Sequence, residues 1–86
     1  MLTDHVSHPI AEVIEKADAE AKAAGRLKGR YIEHPTVDGG ALLQVVAVGK
    51  LSATMEVIGR LPRGWPRVLN FTLEHVREKL AERDTA

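Results

Sequence analysis

Eighty-six residues with twelve basic and twelve acidic side chains form a small chain of zero formal charge, which lacks the overall basicity of a dedicated nucleic-acid coat. The absence of cysteine excludes disulfides, thiolate zinc sites and cysteine nucleophiles. One Phe, one Trp and one Tyr leave the core to nine Leu, nine Val and four Ile, with eleven Ala as thin filler.

No apolar run approaches the ~18–20 residues that cross a bilayer, and the N-terminal residues show no signal-peptide core. The expectation is a soluble cytoplasmic chain. Residues 1–8 read as a short polar arm, and 9–86 as one compact α+β domain. From there the elements follow in order. Ser7 or His8 is placed to cap a helix, Pro9 fits its first turn, and Glu12 adds negative charge near its positive end. Ile10, Val13, Ile14, Ala17, Ala21 and Ala24 share one face at helical spacing. Glu12, Lys16 and Glu20 form a ladder opposite, and Asp18 with Lys22 adds a second pair. Gly25 is a C-terminal cap. The spacing predicts a helix over 9–24.

The middle of the chain predicts a two- or three-stranded antiparallel sheet over about 30–61. Tyr31 and Ile32 begin an extended stretch, and Pro35 pushes His34 away from helical geometry. Asp38-Gly39-Gly40 signals a turn. The valine-rich 42–48 and the run 54–58 flank Gly49-Lys50-Leu51-Ser52, which reads as a hairpin loop. That loop pairs Val48 with Ala53, Val46 with Met55 and Gln44 with Val57 on one face. Ala47–Thr54, Val45–Glu56 and Leu43–Ile58 pair on the other. Both faces are largely apolar and call for cover. A rival reading is all-α, with one central helix over 41–58 that uses Val48, Leu51, Met55 and Ile58. Gly49 in its centre costs about 1 kcal/mol, and the valines disfavour it further.

Beyond the breaker-rich Arg60 to Arg67, Pro66 suits the start of a second helix. Val68, Leu69, Thr72, Leu73, Val76 and Leu80 make a stripe that predicts a helix over 66–83.

Charge is unevenly placed. Residues 25–67 carry seven basic groups against three acidic ones, and the segments on either side are net acidic. Arg26, Lys28, Arg30, Lys50, Arg60, Arg63 and Arg67, with Trp65 among the arginines, are therefore candidates to grip an acidic partner protein, a second copy or phosphates. The plainer reading is that basic residues decorate loops and Trp65 staples onto the helix start near Leu69.

Chemistry-bearing motifs are sparse. His5 and His8 lack a complete metal-ligand pattern, and His75 beside Glu74 reads as a solvated helix flank. No metal and no cofactor is expected. Neither serine sits in a nucleophile elbow, and no phosphate-binding loop is present. Tyr31, Glu33 and His34 remain a candidate ligand or catalytic site formed between subunits.

The composition points to a small non-enzymatic interaction module (a regulator, inhibitor or adaptor) that acts by protein binding as a homo-oligomer. Unmet apolar burial is the motive. Self is the first partner, another protein the second, and a membrane is excluded. The alternatives are weak, sequence-tolerant nucleic-acid binding through the basic loops and the intersubunit site.

Overall fold

The computed structural model describes residues 8–36 and 39–85, with the backbone alone for residues 8–11. Residues 1–7 of the expected arm, with His5 and the Ser7 cap, and Asp38 of the expected turn lie outside the described residues, as do the side chains of His8 and Ile10; the backbone of His8, expected in the arm, is already helical.

The order is α1 (His8–Ala23), β1 (Tyr31–His34), β2 (Ala41–Val48), β3 (Ser52–Ile58), β4 (Val68–Thr72) and α2 (Leu73–Thr85). The four strands form one antiparallel sheet in the order β1-β2-β3-β4, so the α+β class is as expected. The sheet has four strands where two or three were expected, and no helix spans 41–58.

Helix α1 ends as its sequence dictates. Gly25 takes a φ of 71°, its N–H donates to the Lys22 carbonyl, and the Arg26 N–H donates to the Ala21 carbonyl. These bonds satisfy the last free carbonyls. The buried face is rotated from the expected one: Ile14, Asp18 and Ala21 are buried, whereas Val13 stays 66% exposed.

The central hairpin keeps its expected pairing only near the turn. Val48 opposes Ala53 and Ala47 opposes Thr54, but a bulge at Val46 then sets Val45 against Met55, Gln44 against Glu56 and Leu43 against Val57. The physical reason lies in what each register buries. An unbroken ladder carries the Gln44 amide inward, and the bulge exchanges it for Leu43. Leu43 and Val45 are buried with Ala53, Met55 and Val57, while Gln44 Nε2 donates to the Gly29 carbonyl at 3.2 Å.

The expected helix over 66–83 is corrected most. Its first part is strand β4, whose residues pair with Ser52–Glu56, and the helix proper begins at Leu73. Val68-Leu69-Asn70-Phe71-Thr72 fits the alternation of a strand: Leu69 and Phe71 are half-buried, and Val68, Asn70 and Thr72 are exposed. Thr72 Oγ1 accepts from the His75 N–H at 3.1 Å and caps the helix. Trp65 therefore precedes a strand and staples no helix. Val76 and Leu80 of α2 close the core over Ile32, Leu43, Val45, Met55 and Val57.

Candidate functional site

Three features stand out: a buried ion cluster, a group of rings over the core, and an open sheet edge. The ion cluster begins with Asp18, which α1 points at the outer edge of β1. Its Oδ1 accepts from Arg30 Nε at 2.8 Å and from the Tyr31 N–H at 3.0 Å. Its Oδ2 accepts from Arg83 Nη2 at 2.5 Å. Arg83 also donates to the Tyr31 carbonyl and stacks its guanidinium over the Tyr31 ring at 4.1 Å. Arg30 Nη2 reaches both Asp84 oxygens, at 2.9 and 3.2 Å. Burial pushes the Asp18 carboxyl up, but hydrogen bonds from Arg83, Arg30 and the Tyr31 N–H outweigh it and hold it below its ordinary value. Burial lowers the Arg30 guanidinium, and its bonds to Asp18 and Asp84 more than restore it. The cluster ties α1, β1 and α2 together and covers the main-chain groups at Tyr31.

The rings come from distant parts of the chain. His34 lies 5.4 Å from Trp65 in an edge-to-face arrangement and 5.8 Å from Phe71. Phe71 stacks on His75 at 5.3 Å with the planes 11° apart. His34 Nδ1 donates to the Pro35 carbonyl at 3.0 Å. Nε2 of His75 is buried and has no hydrogen-bond partner among the described residues. His75 is thus half-buried where a solvated flank was expected, because α2 starts later and turns this residue against β4.

The residues singled out from sequence are dispersed. Arg26, Lys28, Arg60 and Arg63 are exposed, as is Lys50. Lys50 lies in the β2–β3 turn, and Arg60, Arg63 and Arg67 lie in the β3–β4 connection, at the opposite end of β3. Arg67 Nη1 donates to the carbonyls of Val57 and Gly59, at 3.1 and 2.8 Å. Arg30 is 6% exposed and belongs to the ion cluster. Trp65 is half-buried against the core. Tyr31 and Glu33 alternate with Ile32 and His34 along β1, so His34 parts from the other two candidate ligand residues. Arg83 stacks on Tyr31 and also lines, with Lys79 and Glu82, the shallow groove that Glu33 borders, whereas His34 joins the rings.

Sequence reasoning missed an open cleft between the two helices in which Lys22 and Arg77 stand beside Arg26 and Arg30. It also missed strand β4. Its Val, Phe and Thr are good strand formers, and this signal was masked by an equally good helical stripe.

At the open edge, the Arg67 carbonyl and the Leu73 N–H both bond inward, to the Val57 N–H and the Leu51 carbonyl. Val68, Asn70 and Thr72 consequently turn their main-chain groups away from β3. No protein-family model matches this sequence, and no curated protein or solved structure matches it either. Among the described residues, no helix is long and apolar enough to cross a membrane.

Proposed function

We propose that this chain is a small non-enzymatic interaction module that acts by protein binding, as a homo-oligomer. The observation that carries this reading is the open β4 edge. It offers unpaired main-chain groups on an uncharged strand, the form of surface that a second polypeptide chain completes. Exposed Val13, Val48, Leu51 and Val68 add apolar area that a partner would cover. The exposed cations support the nucleic-acid alternative less well, since Lys50 and the Arg60–Arg63 pair occupy opposite ends of β3 and offer no single track for a phosphate backbone. Light scattering at micromolar concentration tests the proposal. The expected mass is at least twice the 9.4 kDa of one chain, and a monodisperse, thermally stable monomer refutes homo-oligomer formation.

A further inference from the structure

We infer that β4 pairs antiparallel with β4 of a second copy, about a two-fold axis through Asn70, and joins two four-stranded sheets into one of eight. This rests on the reading of the chain as a self-associating module and specifies how it associates.

The two sheet edges differ. At the β1 edge, Asp18 accepts the Tyr31 N–H and Arg83 donates to its carbonyl, so helix side chains cover this edge at Tyr31, and the next outward residue, Glu33, carries a charge. At the β4 edge, no described residue bonds to the outward N–H or carbonyl of Val68 or Asn70. The devices that ordinarily blunt an exposed edge are charged side chains, proline and bulges. Val68–Thr72 contains no charge and no proline, and its pairing with β3 runs without a register shift.

The strand is also self-complementary, which selects a second copy as the occupant. An axis through Asn70 sets Leu69 against Phe71 on the core face and Val68 against Thr72 on the outer face, with no like charges opposed. The two Asn70 residues exchange N–H and carbonyl bonds, and the Thr72 N–H of each copy reaches the Val68 carbonyl of the other. The Thr72 carbonyl is spent on the first turn of α2. Val68, 50% exposed, marks the N-terminal end of β4. Antiparallel pairing brings each end of β4 beside the opposite end of its mate. One patch supplies both halves of the contact, as two-fold symmetry requires.

The test is sedimentation equilibrium of the full chain and two charge variants, at concentrations to about 100 µM. Wild type should sediment as a dimer. Asn70→Lys and Asn70→Glu each oppose like charges on the axis and should weaken association about tenfold or more; an equimolar mixture of the two should restore it. Asn70 is exposed, so both variants should keep the wild-type circular dichroism. A wild-type monomer overturns both the pairing and the self-association beneath it. A dimer that persists in both charge variants overturns the β4 pairing alone and leaves self-association standing. A cross-link guards against misfolded variants. Because the chain has no cysteine, Asn70→Cys introduces a single thiol per copy, and the paired Cα atoms would lie about 5.5 Å apart, within disulfide reach. Mild oxidation should join Asn70→Cys chains and leave Glu33→Cys chains, altered on the opposite edge strand, separate. If Asn70→Cys fails to cross-link in a dimer, the pairing is wrong.

Discussion

His34 and Phe71 stand on the two opposite edge strands of a four-stranded sheet, yet their rings lie 5.8 Å apart. His34 shares the face of buried Ile32, and Phe71 packs against the same core, so the two rings meet over it. The bulge at Val46 favours such a meeting, because an extra residue on one strand bends it and increases the local twist. The rings thereby close over the core of a chain that has very few aromatics with which to fill it.

Trp65 completes that closure, so its loss should be felt as stability. Trp65→Ala should cost about 2–3 kcal/mol, below the ~3–5 kcal/mol of a fully buried large aromatic because Trp65 is half-buried. For a domain of this size this lowers the melting temperature by roughly 10–20 °C. Thermal unfolding followed by circular dichroism measures it. An unchanged melting temperature would show that the indole is spare surface and return it to the candidates for partner contact.

The ion cluster predicts an acid limb. Because the folded Asp18 carboxyl titrates below its unfolded value, its contribution is complete above about pH 4 and is lost as pH falls through the lower, folded value. Asp18→Ala removes the pH-dependent part and strands the buried Arg30 with Asp84 alone, at a cost of about 3–5 kcal/mol. Asp84→Ala, at the more exposed end, should cost under about 1 kcal/mol. Urea unfolding of the three proteins between pH 2.5 and 6 checks both the order and the slope. Equal losses for the two variants would disprove the central place given to Asp18.

Gly29 is expected to resist substitution. Its φ is 103°, and an added Cβ meets the Ala17 carbonyl oxygen and Ala21 Cβ at 3.3 Å. Gly29→Ala should therefore destabilise by more than about 1 kcal/mol and loosen α1 from β1. Gly25→Ala strains a positive φ with nothing within 4 Å of the new carbon, so it should cost less. Chemical denaturation midpoints rank the two, and the reverse order counts against the close packing of α1 on Gly29.

Polyanion binding should be weak and local. Arg60 and Arg63 make no hydrogen bond or ion pair with a described residue, whereas Arg67 is engaged by backbone carbonyls. Two phosphate contacts give a salt slope of about −1.4 on single-stranded DNA. Fluorescence anisotropy across a salt series measures it. A slope near −5 would mean that cations from both ends of β3 share one track, contrary to their placement.

The sequence alone determined what neighbouring residues decide. Helix α1 and its glycine stop follow from spacing and a positive-φ requirement, and the hairpin turn at Gly49 to Ser52 follows from its flanking valine-rich runs. The α+β class follows from both. Distant partners decided the rest. Residues 68–72 satisfy a helical stripe and a strand alternation equally well, and the choice fell to β3 and the turn before it, where the Val57 N–H and the Leu51 carbonyl needed partners that Arg67 and Leu73 supply. The register of β2 is not local either, since the bulge at Val46 pays only when Leu43 has a core to enter. Asp18 and Arg30 read as surface charges until the fold buries them against each other, and His34 meets Phe71 only once both edge strands lie over one core. Spacing along the chain fixes which faces exist; the tertiary structure settles which of them meet, because burial and hydrogen-bond satisfaction are shared among residues far apart in sequence.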